Sequence, residues 1–312
     1  MDKTQFNRPI DLKKLTINDK FWQNEMELVR TEVIPYQWEA LNDRVPDAAP
    51  SFAMHNFRAA ALLKKRQHTD PDFTAPVFSN PGFEVLPEDP ANVPEDQFFG
   101  FLFQDSDFYK WVEAVAYSLM QHPDPELEAR CDEAINLVRD AQADDGYLDT
   151  YYILNGRDKE FSNLRDNHEL YCFGHLTEAA SAYYEATGKD TLLNVARRYA
   201  AYIRSKIGPE EGKKHGYPGH EVAELALVRL YQITGDEQDL ALARYFIDER
   251  GTEPNYFTLE AKRNGSRADH GALLNSRQAY YQAHKPVRQQ DEALGHSVRA
   301  MYLYSGMADV AG

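Results

Sequence analysis

Basic residues are scarce in this sequence, and their scarcity excludes one class of partner. The 312 residues include 34 Lys and Arg against 50 Asp and Glu, which gives a formal net charge of −16 at neutral pH. Proteins that bind a phosphate backbone do so through clustered Lys and Arg that displace counterions. We therefore expect no nucleic acid among the partners of this protein.

Cysteine is nearly absent as well. Only Cys131 and Cys172 occur, each within an apolar helical pattern. Two thiols make neither a disulfide framework nor, by themselves, a metal site. The sequence predicts two buried thiols and no metal bound by this chain.

Long apolar segments and several catalytic motifs are also missing. No apolar run approaches the roughly 18 residues that a membrane span needs, and the N-terminus lacks the basic start and apolar stretch of a signal peptide. These features predict a cytoplasmic protein without a membrane partner. There is no Gly-rich phosphate loop, Cys–His metal spacing or Gly-x-Ser-x-Gly elbow, so nucleotide and serine-hydrolase chemistry are unsupported.

The sequence does contain strong helical periodicity. With 43% hydrophobic residues it can form a packed core, and from about residue 107 onward apolar side chains recur at helical spacing. We predict helix hairpins over residues 22–66, 107–143, 168–207 and 219–250, and half a hairpin from residue 291. Between them, residues 67–106 and 251–290 are predicted to be long loops.

Two of these hairpins look like copies of one unit. Thr-Gly turns end at Gly188 and Gly235, 47 positions apart, and both glycines suit a left-handed helix C-cap. A third copy begins at Gly295 and places the same turn at Gly306. Hairpins repeated at this spacing form solenoids or closed α/α toroids, since each unit buries its apolar face against its neighbours. The predicted fold class is all-α, and the last hairpin is incomplete in this chain.

Three histidines occupy comparable places in this repeat. His168, His220 and His296 each open a predicted inner helix. Because the inner helices of a toroid begin at one rim, their rings should converge on the central funnel, where neutral imidazole can donate to and accept from sugar hydroxyls. The alternative for each histidine is a helix cap or a bond to a buried backbone group.

Other polar residues near the predicted rim suit carbohydrate. Tyr147 could stack on a sugar face and Asp149 could accept from its hydroxyls, and Gln104 and Asp105 offer similar groups. The alternatives are an Asp-Gly turn with packed tyrosines and a helix N-cap. Glycoside hydrolysis usually needs two carboxylates. The candidates are four acidic residues at helix starts: Glu169, Glu221, Glu224 and Asp291. Each of them could instead simply complement the helix dipole.

Several short motifs, in this order, resemble glycoside hydrolase family 127, the β-L-arabinofuranosidases. The resemblance extends over nearly the whole chain. The motifs that carry it are Phe21-Trp22, residues 33–38, residues 103–107 with Tyr109-Lys110-Trp111, residues 146–150, residues 168–171 and residues 295–299.

This resemblance implies an (α/α)6 barrel of the six-hairpin glycosidase type, followed by β-sandwich domains. It also implies retaining hydrolysis of non-reducing terminal β-L-arabinofuranosides by a cysteine thiolate held on zinc. The family's acid/base Glu, nucleophile Cys and zinc ligands follow the matched region, so they are expected beyond Gly312. The three family histidines that contact arabinofuranose match His168, His220 and His296.

Residues 1–312 are therefore expected to be the N-terminal part of a single α/α-barrel catalytic domain. They would supply the rim that binds an L-arabinofuranose-containing oligosaccharide, would be inactive alone, and could pair as a homodimer. Two other hypotheses stay open: an unsaturated glucuronyl hydrolase, in which Asp105 or Asp149 would be catalytic, and a non-enzymatic helical-repeat scaffold.

Overall fold

The computed structural model describes residues 10–76, 78, 83–265 and 277–312. Its strands β1 (Glu84–Val85) and β2 (Gly100–Phe101) pair antiparallel, with Glu84 opposite Phe101. Its longer helical elements are α1 (Lys20–Leu28), α2 (Ile34–Leu41), α3 (Ala53–Thr69), α4 (Asp105–Gln121), α5 (Pro125–Ala141), α6 (Thr150–Asn155), α7 (Glu169–Thr187), α8 (Thr191–Lys206), α9 (Ala223–Thr234), α10 (Glu237–Glu249), α11 (Tyr256–Arg263) and α12 (Ser297–Ala311).

The helices form two rows. Helices α4, α7, α9 and α12 pack side by side as an inner row, while α5 lies between α3 and α8 on the outside and α10 lies behind α9 and α12. The inner helices α4, α7 and α9 are each followed along the chain by an outer helix, in the pairs α4–α5, α7–α8 and α9–α10. This is the predicted all-α toroid arrangement, and its main apolar core lies between the rows.

Local signals explain where the helices begin and end. Asp124 caps α5 by accepting from the backbone N–H groups of Glu126 and Leu127, and Pro125 follows at the first helical position. Gly188 and Gly235 end α7 and α9 with φ of 75° and 73°. The predicted 47-residue repeat is thus confirmed for these two hairpins.

The predicted third turn at Gly306 is wrong. Helix α12 runs through this glycine to Ala311. A Cβ atom at Gly306 would lie 2.9 Å from Cβ of Glu224 and 3.1 Å from the backbone nitrogen of Leu225. The glycine is therefore needed for the close approach of α12 to α9, and not for a turn.

The two predicted loops contain regular structure. Residues 251–290 include α11, a helical turn at 277–280 and the 3-10 turn Val287–Gln289. Residues 67–106 include the end of α3, both strands and the start of α4.

The predicted first hairpin, residues 22–66, consists of a continuous helical stretch followed by α3. The stretch runs from α1 through a π-helical turn (Val29–Val33) to α2.

Candidate active site

The three histidines meet at one end of the inner row. The ring centroids of His168 and His220 lie 5.6 Å apart, and those of His220 and His296 lie 6.1 Å apart. His168 and His296 are the residues immediately before α7 and α12. His220 lies in the loop before α9, which begins only at Ala223, so the prediction that it opens the helix is wrong by three residues.

The backbone at His168 is unusual. It adopts the left-handed region with φ of 57°, which costs a residue with a side chain about 1–2 kcal/mol. Its ring lies 5.3 Å from that of Phe103 and 5.5 Å from that of Tyr171. The turn thereby directs the imidazole between the start of α4 and the inner face of α7.

Backbone contacts fix which ring nitrogen of each histidine carries the proton. Nδ1 of His168 lies 2.5 Å from the carbonyl oxygen of Asp166, and Nδ1 of His220 lies 3.0 Å from that of Glu221. A carbonyl only accepts, so both Nδ1 atoms donate and both Nε2 atoms are left as acceptors. Nδ1 of His296 instead accepts from the backbone N–H of Arg299 at 3.4 Å, which leaves Nε2–H as a donor.

Burial keeps these imidazoles uncharged. Desolvation lowers the pKa of His168 to about 4 and that of His220 to about 3, and the nearby Arg299 guanidinium acts in the same direction. The pKa of His296 is lowered by the same two causes. At neutral pH the site therefore presents two bare nitrogens and one N–H, with no charge on the rings.

An aromatic wall stands beside His168. Phe101 and Phe103 stack with ring centroids 5.3 Å apart, and Phe83 contacts both of them as well as the imidazole of His168. The pairing of β1 with β2 places these rings together. This wall could not be predicted from the sequence, because Phe83 lies in a segment predicted to be a loop.

Below the rim, α4, α7 and α12 contribute further side chains to the same surface. The ring of Tyr171 lies 4.4 Å from His220 and 4.5 Å from His175, and the ammonium nitrogen of Lys110 lies 5.1 Å from the Tyr171 centroid. Tyr302 contacts both His175 and His220. Helical spacing could have identified Tyr171 and His175, which lie three and seven residues after His168.

Asp105 and Asp149 lie in the core and not at the rim. Asp105 accepts from the backbone N–H of Thr150 at 2.8 Å and from its hydroxyl at 2.5 Å. Asp149 caps α6 by accepting from the backbone N–H of Tyr152. Burial raises the pKa of Asp105 to about 6 and the pKa of Asp149 well above its usual range. Since neither carboxyl reaches the funnel, the glucuronyl hydrolase hypothesis loses its catalytic candidates.

Tyr147 and Gln104 also have structural surroundings. Tyr147 is fully buried and donates its hydroxyl to Glu169 at 2.6 Å, so its ring is no stacking platform for sugar. Gln104 precedes α4 and joins strand β2 to that helix, since its side chain accepts from Phe101 N–H and donates to Asp107. Tyr147 is therefore a packed tyrosine of the core, and Gln104 belongs to the start of a helix. These are the structural alternatives to a role in sugar binding.

The acidic residues considered for catalysis do not form a pair at the rim. Glu169, Glu221 and Glu224 are fully buried, and Asp291 bonds to Lys285 at the surface. Glu169 accepts from the backbone N–H of Phe161 as well as from Tyr147. Its burial raises its pKa to about 8.

The residues that the structure describes do not fit a zinc ion. Cys131 and Cys172 are free, buried thiols on different helices, as predicted, and no three His, Cys, Asp or Glu side chains in the described ranges are grouped to hold a metal. Zinc in a longer enzyme stays a prediction. In the same part of the chain, every helix is too short or too polar for a bilayer span.

Comparison with known proteins identifies relatives of one kind. The model of the family "Beta-L-arabinofuranosidase, GH127 catalytic domain" matches residues 14–312. The non-reducing end β-L-arabinofuranosidase of Bifidobacterium longum subsp. longum is 40% identical over 301 residues, which cover 95% of this chain and 43% of that protein.

Solved structures agree with this result. The crystal structure of a GH127 β-L-arabinofuranosidase from Geobacillus stearothermophilus T6 matches with a TM-score of 0.80 and 46% identity, over 95% of this chain and 42% of that one. A second GH127 β-arabinofuranosidase matches with a TM-score of 0.71 and 33% identity, over 97% of this chain and 40% of that one. The chain thus spans less than half the length of these relatives.

Proposed function

Because the chain belongs to the GH127 family of β-L-arabinofuranosidase catalytic domains, we propose that it forms the substrate-binding rim of a glycoside hydrolase. The substrate would be an oligosaccharide with a non-reducing terminal β-L-arabinofuranose, and hydrolysis would retain the anomeric configuration. The observation that carries this proposal is the convergence of His168, His220 and His296 as neutral rings with fixed hydrogen-bonding roles.

The rim suits a neutral sugar better than an ionic ligand. Nε2 of His168 and Nε2 of His220 would accept from sugar hydroxyls, and Nε2–H of His296 would donate to a sugar oxygen. Each such bond contributes about 0.5–1.5 kcal/mol net. The aromatic wall of Phe83, Phe101 and Phe103 offers an apolar surface to the other side of the ring.

No catalytic role is assigned to the described residues. The acid/base Glu, the nucleophilic Cys and the zinc ligands are expected in a longer chain, and residues 1–312 alone are expected to leave β-L-arabinofuranosides intact. Clear zinc-dependent turnover by the isolated chain would contradict that expectation. A cytoplasmic location and a homodimer belong to the same proposal.

The test is a binding measurement with single histidine variants. Methyl β-L-arabinofuranoside is titrated into the chain and its dissociation constant is measured by calorimetry or saturation-transfer NMR. We expect His168→Ala, His220→Ala and His296→Ala each to weaken binding about tenfold, the equivalent of one hydrogen bond.

His122→Ala is the matched control, because His122 is exposed just beyond the end of α4, outside the cluster of rings. It should leave the dissociation constant unchanged. Failure of the unaltered chain to bind the methyl glycoside, or equal binding by all four variants, would contradict the proposed function.

A further inference from the structure

A buried arginine lies directly behind the histidine cluster. Arg250, the residue after α10, is completely buried. Its terminal nitrogens donate to the carbonyl oxygen of Pro218 at 2.6 Å and to that of Tyr281 at 2.9 Å. Its guanidinium also lies over the ring of Tyr217, 4.9 Å from the centroid. One side chain thereby joins the loop before His220 to the segment that carries Tyr281.

Two buried glutamates complete this group. Nη1 of Arg250 lies 3.0 Å from Glu221 and Nη2 lies 3.1 Å from Glu224, and all three side chains have no exposed surface. Glu221 is adjacent to His220, and its carbonyl oxygen accepts from the ring of that histidine. These contacts of Arg250 therefore hold the backbone that fixes both the position and the tautomer of His220.

The His220 loop is held on its other side by close backbone contacts. The N–H of Gly219 donates to the carbonyl oxygen of Leu164 at 3.0 Å. A Cβ atom at Gly219 would lie 2.0 Å from the carbonyl oxygen of Arg165. That side of the loop is thus fixed against the segment leading to His168, and Arg250 is the group that fixes the opposite side.

The connection continues from Tyr281 to His296. The backbone N–H of His296 donates to the carbonyl oxygen of Tyr280 at 3.2 Å, and Gln282 donates to Leu294 at 2.8 Å. The ring of Tyr280 contacts that of His296, with centroids 5.3 Å apart. A displacement of the Tyr281 backbone would therefore displace His296.

We propose that Arg250 is a positioning residue that sets the separation and orientation of His220 and His296 through its contacts with Pro218, Tyr281, Glu221 and Glu224. The inference rests on the proposed role of these histidines in binding sugar. Arg250 itself touches no substrate, because it is completely buried behind the site.

The geometry calls for arginine. A guanidinium presents several N–H groups in a rigid planar fork and can serve two carbonyls and two carboxylates at once, and its flat face can rest on a tyrosine ring. An ammonium group has three donors and no plane. Lysine at position 250 would keep the charge but lose part of these contacts, so Arg250→Lys changes the geometry without leaving Glu221 and Glu224 unpaired.

The experiment compares Arg250→Lys with the unaltered chain by imidazole ¹⁵N NMR and by titration with methyl β-L-arabinofuranoside. We expect the ring nitrogen signals of both His220 and His296 to shift, with those of His220 losing their separation into one protonated and one bare nitrogen. We expect sugar binding to weaken about tenfold, the equivalent of one lost hydrogen bond.

Arg204→Lys is the matched control. Arg204 joins α8 to α10 through Asp239 and Asp236 on the outer side of the fold, and its replacement should reduce stability without altering the histidine signals or the affinity. Arg250→Lys with unaltered signals and affinity would overturn the proposal, as would equal losses of affinity in the two variants.

A second variant covers the case in which Arg250→Lys does not fold. Glu221→Gln keeps the shape of the side chain and replaces the carboxyl group that lies against Arg250 with an amide. It should shift the His220 signals and weaken binding a fewfold; unchanged signals would overturn the proposal. The His220→Ala result separates the two proposals. If that variant binds sugar normally, the proposed function fails; if it loses binding while Arg250→Lys does not, only the positioning role fails.

Discussion

At the scale of single residues, the site depends on imidazoles that remain neutral in a strongly acidic protein. A net charge of −16 would favour protonated histidines. Burial opposes this, and so does the Arg299 guanidinium, which is itself nearly buried and lies over the rings of Tyr280 and Tyr281. The local environment therefore determines the charge of the site.

This environment predicts how sugar binding depends on pH. The pKa values of His168 and His220 are lowered to about 4 and about 3 from an ordinary value of 6.5. Binding should therefore be constant from pH 8 to about pH 5 and should fall below that, because a protonated ring no longer offers a bare Nε2. The measurement is the dissociation constant of the methyl glycoside across this range, with histidine ¹⁵N titrations alongside.

The same shifts have a defined effect on stability. An unfolded chain takes up protons on these histidines near pH 6.5, while the folded chain does so only near pH 4 and below. Their contribution to the free energy of unfolding is therefore full above pH 6.5 and is lost as the pH falls through the folded pKa values. Ring titration of His168 and His220 near pH 6.5 in the folded chain would contradict both statements.

At the scale of secondary-structure elements, the glycines show two different uses of the same residue. Gly188 and Gly235 have left-handed backbones and nothing within 4 Å of an added Cβ, whereas Gly306 lies inside α12 against α9. The first two are needed for their φ values, and the third is needed for its lack of a side chain.

Gly306→Ala should destabilise the chain. Alanine favours a helix interior over glycine by about 1 kcal/mol, but overpacking at a close helix contact costs about 1–3 kcal/mol, so the net loss should be about 1 kcal/mol. Urea unfolding measures it. Ser305→Ala, an exposed change in the same helix, is the control and should change stability by less than about 0.5 kcal/mol. A stabilised Gly306→Ala would show that the two helices separate easily.

This glycine also shows how far sequence could predict the elements. Periodicity and Thr-Gly turns were sufficient for α7 to α10, since local propensity and caps there agree with tertiary packing. The repeat failed at Gly306 because a helix–helix contact is not visible in a single segment. The sequence also failed to predict α11, which lies in the predicted loop 251–290. In this helix Glu260 is buried and accepts from the backbone N–H groups of Leu164 and Arg165. This is a long-range contact without a local signal.

The candidate site could also be predicted only in part, because a local pattern does not reveal long-range contacts or burial. Equivalent positions in a repeat locate His168, His220 and His296, because inner helices start at one rim. Spacing says nothing about whether Asp149 or Tyr147 is buried, and both are. Arg250 could not be found by any local pattern, since its partners lie about 30 residues away on both sides.

Over the described chain as a whole, exposed large apolar side chains are concentrated in residues 10–36, a segment that we call the apolar face. A chain monomeric in solution rarely exposes more than a few hundred Å² of continuous apolar surface. Here large apolar side chains are exposed along residues 10–36, with Phe21 at 61% and Trp22 at 58%. The exposed members of this face are Ile10, Leu12, Leu15, Ile17, Phe21, Trp22, Leu28, Val29, Val33 and Tyr36.

This face predicts that the isolated chain self-associates. Its mass, measured by light scattering or sedimentation, should rise with concentration, and the association should weaken at low temperature because apolar burial weakens on cooling. The double change Phe21→Ser with Trp22→Ser should weaken the association at least tenfold, since each large side chain contributes about 1.5–3 kcal/mol on burial. Tyr184→Ser, an exposed aromatic outside this face, should leave it unchanged. A monomer at every concentration, or equal effects of the two changes, would show that the apolar face of residues 10–36 does not drive association.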